Sequence, residues 1–262
     1  VNALIIGDLL LHGTFPVHSV FRDVVNFLAG DVVVSVVREC VGPGPASIVL
    51  ASAEFDLFVQ EGGALRALEI SGASFPGAGV YDSRLDGMTC AEGGAAASAL
   101  GRLLDRDASG ESVWAILQGR EEKGGFFGAY AQELRAGVEF LREGAFECGV
   151  RLLGGLGIGL TPSGDDFLCG FLAGLHVASG PEGAFGAASA AVRVAMTGRE
   201  PLARTLLGFA CEARVNGHEK ALLGAICRGG GFEQELALVL GHGATSGADY
   251  CSGLWAGLAH DR

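Results

Sequence analysis

Short β-branched runs fill the first third of the chain, and longer apolar stretches of helical period fill the rest. Asp31-Val32-Val33-Val34-Ser35-Val36-Val37 and Ser47-Ile48-Val49-Leu50 are bounded by glycine and proline, notably Gly42-Pro43-Gly44-Pro45, and read as strands. The segments 55–59 and 65–70 read as two more, with Glu61-Gly62-Gly63 as a hairpin turn between them. From Cys90 onward the period lengthens, predicting helices over 92–104, 127–153, 165–178, 184–196, 201–214, 218–227, 232–240 and 247–260. The polar stretch 105–123 reads as a solvated connection. The expectation is an α+β chain. Residues 1–89 form an antiparallel β sheet or small barrel, and residues 90–262 form a helical bundle.

Within the helical part, the segment from Ser163 to Leu175 aligns without gaps on the segment from Ser246 to Leu258. The serine, the first glycine, one aspartate (Asp166, Asp249), a Gly-x-x-Ala-Gly run and the closing leucine recur. Each copy follows a glycine-rich approach: Gly155-Leu156-Gly157-Ile158-Gly159-Leu160-Thr161-Pro162 in the first and Gly241-His242-Gly243-Ala244-Thr245 in the second. Such loops turn sharply and let backbone N–H groups approach a ligand. Gly170 and Gly174, like Gly253 and Gly257, lie four apart on one helical face and predict close helix packing. If the two repeat helices pack in parallel, their starts share one site. If they are antiparallel, a helix of about 13 residues separates the starts by roughly 20 Å.

The 44 glycines in a chain that is 49% hydrophobic fit tight turns and close packing rather than disorder. A net charge of −12 argues against nucleic acid as a partner, because neutralising phosphates takes clustered Lys and Arg. The seven cysteines show no C-x-x-C spacing and read as buried free thiols of a cytoplasmic protein. The apolar start lacks a basic region and contains Asp8, unlike a signal peptide, and no apolar run is long enough for a membrane span.

Ser163 and Asp166 have the spacing of a helix capping pair, which accounts for one aspartate. The adjacent Asp165 is left over. Two carboxylates beside an uncharged helix need a divalent cation such as Mg²⁺, a Lys or Arg, a proton or a substrate amide. Asp165 and Asp166 are therefore the candidate catalytic groups, and the candidate ligands if a metal binds. Gly157, Gly159 and Gly164 offer close backbone approach, while Thr161, Ser163, Thr245 and Ser246 offer hydroxyls and Asp249 a third carboxylate. His242 in the second loop is a candidate donor, Arg204 a candidate cation for an acidic loop or anionic substrate, and His18 a further candidate contact. A structural role for His18 and His242 stands beside the functional one.

The two motifs, with weaker echoes at Val17-His18-Ser19-Val20-Phe21 and Gly42-Pro43-Gly44-Pro45, resemble a bacterial domain-of-unknown-function family. That family includes one subunit of the oxamate carbamoyltransferase of allantoin catabolism. The second motif departs from the family's pattern in carrying Gly243-Ala244 between His242 and Thr245. The resemblance implies a subunit of a multi-protein transferase handling carbamoyl phosphate and oxamate, with partner protein subunits. Two other readings remain open from the residues: a metal-dependent hydrolase using the paired aspartates, and a non-catalytic scaffold that binds partner subunits.

Overall fold

The structure is a computed structural model, in which residues 2–61, 67–71, 75–120 and 126–260 are described. The chain divides into two compact units, one of Val1–Arg84 with Val215–Gly217 and one of Leu85–Arg214 with His218–Arg262. The result is an α+β fold, with the strands first and the helices after.

The first unit is built on strands β1 (Ala3–Gly7), β2 (Gly13–Val20), β3 (Val24–Ala29), β4 (Val32–Arg38), β5 (Ser47–Leu50), β6 (Ala67–Ile70) and β7 (Gly79–Tyr81). They form one seven-stranded sheet in the order β6-β2-β3-β4-β5-β1-β7. Pairing is antiparallel at β6–β2, β2–β3, β3–β4 and β5–β1, and parallel at β4–β5 and β1–β7. The predicted strands at 31–37 and 47–50 are β4 and β5, whose near-unbroken burial explains their lack of polar alternation.

One predicted strand is a helix. Phe55, Leu57 and Val59 alternate as a strand would, yet Ser52–Glu61 forms α1. Phe55 and Phe58 are buried while Leu57 and Val59 are 51% and 38% exposed, so the buried face steps by three. Tertiary contact decides the matter: Phe58 meets Phe27 edge-on at 6.3 Å, and Phe55 lies 4.8 Å beneath the Arg38 guanidinium. Of the predicted hairpin, Gly62 to Arg66 lie outside the described residues.

The second unit contains α2 (Gly93–Asp107), α3 (Val113–Leu117), α4 (Phe126–Arg142), α5 (Phe146–Leu153), α6 (Ser163–Ser179), α7 (Ala184–Ala195), α8 (Pro201–Ala210), α9 (Gly217–Cys227, whose first residue is assigned to the other unit), α10 (Glu233–Leu240) and α11 (Ser246–Leu258). The single helix predicted over 127–153 is broken at Gly144, which adopts φ +78 and lets Ala145 N–H reach the Phe140 carbonyl. The expected solvated connection is also corrected. Within it Ser112 caps α3, and Val113 to Ile116 are buried, with Trp114 edge-on to Trp255 at 5.1 Å. Five consecutive apolar residues sit there between polar flanks, and burial outweighs the composition of the surroundings. Residues 121–125 lie outside the described residues.

Every residue of α6 from Ser163 to Ala178 is buried. Phe167, Leu168, Phe171, Leu172 and Leu175 fill this core, each contributing about 1.5–3 kcal/mol through removal from water. Among the described residues no helix is long and apolar enough to cross a membrane.

Candidate functional site

α6 and α11 pack in parallel, backbone against backbone, through the predicted glycines. A Cβ at Gly170 would collide with the Tyr250 carbonyl and lie 2.8 Å from Leu254 N; one at Gly253 would collide with the Phe167 carbonyl and lie 2.8 Å from Phe171 N. One turn on, Gly174 faces Leu254 and Leu258 while Gly257 faces Phe171 and Leu175. Partner numbers rise together along both helices, which fixes the parallel sense. The reciprocity of the contacts gives the pair an approximate two-fold relation. Both helix starts, and both glycine loops, therefore open at one end.

The repeat reaches further back than the sequence comparison showed. A Cβ at Gly164 would collide with the carbonyl of Leu153, the last residue of α5, and one at Gly247 with the carbonyl of Val239 near the end of α10. The duplicated unit is thus helix, loop, helix: α5 with α6, and α10 with α11. In that register Phe146-Glu147 and Leu152 fall on Phe232-Glu233 and Leu238, a likeness that the motif comparison stopped short of.

The expected Ser163–Asp166 capping pair does not form. Pro162 and Thr245 occupy the cap positions of α6 and α11 and neither makes a side-chain capping bond. Instead the serines turn across the helix pair. The hydroxyl of Ser246 faces Asp166, that of Ser163 faces Asp249, and Thr161 and Thr245 add a hydroxyl to Asp166 and Asp249 in turn. Thr161 Oγ1 and Ser246 Oγ also meet each other at 3.2 Å.

All three aspartates are buried: Asp165 is 2%, Asp166 8% and Asp249 0% exposed. Burial pushes Asp249 up to about 6 despite the N–H of Val113 and the hydroxyls of Ser163 and Thr245. Burial also drives Asp166 well above the usual carboxylate range; the Ser246 and Thr161 hydroxyls pull it back, while the Asp249 and Asp165 carboxylates push it further. Asp165 is raised by burial and lowered by the Gly155 N–H and the Arg199 guanidinium. The hydroxyls of the two helix starts act on Asp166 and Asp249. Among the described residues, Oδ2 of Asp165, of Asp166 and of Asp249 has no hydrogen-bond partner. Buried acceptors without donors are costly. Tyr130 borders the group, its hydroxyl raised to about 12 by burial and by the Asp249 carboxylate, with Ser163 acting the other way.

Each loop has its own clasp. In the first, Gly155, Gly157 and Gly159 adopt φ of +72, +122 and +97, conformations that side chains resist. Gly155 N–H donates to Asp165 Oδ1 at 2.8 Å, and the Arg199 guanidinium lies against Gly154 and Gly155. Gly157 presses on Ser163, where a Cβ would lie 2.7 Å from the backbone nitrogen. In the second, His242 Nε2 and His218 Nδ1 share a hydrogen bond of 2.9 Å. Burial lowers both imidazoles, and the charge of His242 lowers His218 further while Glu219 opposes.

The structure thus gathers Gly157, Gly159, Thr161, Ser163, Gly164, Asp165, Asp166, His242, Thr245, Ser246 and Asp249 in the two loops and helix starts. Arg204 is half-buried on α8, and the guanidinium that acts on Asp165 is Arg199, in the turn before that helix. His18 stands on β2 of the first unit, its Nδ1 3.1 Å from Ser19 Oγ. Sequence reasoning missed Arg199, His218 and Tyr130, which come from elements distant in the chain and carry no motif. Among the described residues, no group of three or more His, Cys, Asp or Glu is placed to hold a metal ion.

No curated protein and no solved structure matches the chain. Residues 153–258, from the last residue of α5 to the last residue of α11, match the family described as oxamate carbamoyltransferase subunit AllH, the family that the two glycine-rich motifs resemble.

Proposed function

We propose that the chain serves as a subunit of a carbamoyltransferase-type enzyme of the oxamate carbamoyltransferase kind, and that the shared helix start takes a small carbamoyl-, carboxylate- or phosphate-bearing substrate. The observation that carries this reading is the set of three buried carboxylates at the joint start of α6 and α11 whose Oδ2 atoms lack donors among the described residues. A primary amide or carbamoyl group supplies the missing N–H donors. A bare anion does not, and it would be repelled unless held on the glycine-loop N–H groups, where helix starts favour negative charge. The match of residues 153–258 supports the same class, and a family of subunits implies partner proteins.

In this reading the amide nitrogen of one substrate attacks the carbamoyl carbon of the other. The new N–C bond forms as the C–O bond to phosphate breaks, and one N–H proton passes to Asp166. A carboxylate whose proton affinity is raised by burial suits that task. Asp165 holds the first loop in place beside it.

The test is a melting and calorimetric titration of the full chain with carbamoyl phosphate and with oxamate. Binding of either should raise the melting temperature saturably, and Asp166→Asn should weaken that binding at least about tenfold, equivalent to the ~1.4 kcal/mol of one charge-assisted bond. Equal affinity in Asp166→Asn, or no response to either compound, would sink the proposal.

A further inference from the structure

Outside the carboxylate cluster, α5 and α7 border a groove of about 580 Å³. Ala190, Ala191 and Val194 of α7 line it, with Glu147 and Arg151 of α5 and with Arg199. The volume falls in the range of small-molecule sites, ~300–1,000 Å³. Its charge is unusual for this chain. Against a net charge of −12, the groove presents two guanidiniums and one carboxylate.

Neither guanidinium has a close carboxylate partner among the described residues, although the charge of Arg199 also acts on Asp165. Arg199 gives Nε to the Ala195 carbonyl at 3.2 Å, and Arg151 reaches only Cys148 Sγ at 3.9 Å. Neither makes an ion pair among the described residues, although Arg22, Arg38, Arg84, Arg106, Arg120, Arg142, Arg193 and Arg214 all do. Guanidinium forks match the two-oxygen edge of a carboxylate or phosphate. The floor of small apolar side chains admits a short carbon skeleton and offers it no competing acceptor. Val194, 80% exposed, leaves that floor open to solvent.

We infer that the α5–α7 groove is a binding site for a small oxoanion, carboxylate or phosphate, held by Arg199 and Arg151. The site is separate from the carboxylate cluster and touches it at one point. Arg199 lies against Gly154 and Gly155, and Gly155 N–H is held by Asp165. An anion that engages Arg199 therefore acts on the first glycine loop.

Titration calorimetry of the full chain with inorganic phosphate and with acetate, each at fixed ionic strength against potassium chloride, tests the inference and separates the two anion chemistries. At least one probe should bind saturably where chloride does not. Arg199→Gln and Arg151→Gln should each weaken it at least about tenfold. Arg151 is exposed and, among the described residues, bonds only to Cys148 Sγ at 3.9 Å, so its variant keeps the fold even if Arg199→Gln loosens the loop. Val194→Glu, which adds a carboxylate at an exposed position on the floor, should also abolish binding. Asp166→Asn should leave it unchanged. Binding that Asp166→Asn removes and Arg151→Gln spares would place the anion at the helix starts; it would overturn this inference and leave the proposed function standing. Absence of saturable binding of both probes overturns it as well, including the case in which the groove takes a carboxylate of a partner protein.

Discussion

The two copies of the helix-loop-helix unit differ most where they would be expected to do chemistry. Nine residues join Leu153 to Ser163, and five join Leu240 to Ser246. The longer loop needs a clasp within its own motif, and Asp165 supplies it by accepting the Gly155 N–H. The shorter loop has Ala248 at the equivalent position, 3% exposed, and is fastened from outside by His218. Asp166 and Asp249, by contrast, occur in both copies and face the opposite helix start. Shared positions join the copies to each other; unshared positions fit each loop to its own length. An aspartate present in only one copy is thus explained first by loop geometry, and any chemistry it performs is added to that role.

The largest effect that tests this equivalence is on the helix interface. Gly170→Leu and Gly253→Leu should each cost about 3 kcal/mol or more through overpacking against a backbone carbonyl. Urea unfolding should find the two alike. One tolerated and one ruinous substitution would break the two-fold relation.

Next comes pH. Asp249 carries a folded value of about 6 against 3.8 for the free group, so between those values the folded state binds more protons than the unfolded state. Stability should fall as pH rises from about 4 to 6, by up to ~3 kcal/mol for this group. Asp249→Asn, which keeps an oxygen for the Val113 N–H at 2.6 Å, should flatten that slope. A slope unchanged in the variant would show that the buried charge is not borne there.

The third contrast exchanges the unshared position. Asp165→Ala leaves Gly155 N–H unpaired and should cost about 1–3 kcal/mol. Ala248→Asp should be the worse of the two, since it buries a carboxylate that has no loop N–H to accept. The reverse order, read by thermal unfolding, would separate loop length from the choice of residue.

The smallest effect concerns the second clasp. His218→Gln should cost about 1 kcal/mol at pH 7.5, the net worth of one hydrogen bond. Because the folded imidazoles are depressed, the stability they contribute is present above the ordinary value near 6.5 and is lost as pH falls below it. The variant should lose less than the parent over that drop.

Much of this was legible in the chain. The strands at 31–37 and 47–50 and the repeat helices followed from β-branched runs and from glycines four apart, because those patterns act locally. The break at Gly144 is local but rests on one glycine inside an otherwise periodic run; the helix at Ser52–Glu61 and the buried α3 were not legible because each depends on contacts with residues far away: Phe58 on Phe27, Trp114 on Trp255. For the candidate site, the two motifs announced the aspartates and hydroxyls. They did not announce Arg199, in the turn before α8, or His218, in the first turn of α9, single residues outside both motifs.

By itself the sequence determined that one loop-helix unit was built twice, with close-packed glycine faces and an excess carboxylate in the first copy. Spacing and composition suffice for that, since a glycine four residues from another lies on the same face of any helix. Only the tertiary structure decided that the helices run in parallel and that Ser163 and Ser246 reach across to the other copy's aspartate. Helix direction is set by how the connecting elements α7 to α10 return the chain, and no local residue pattern records that path.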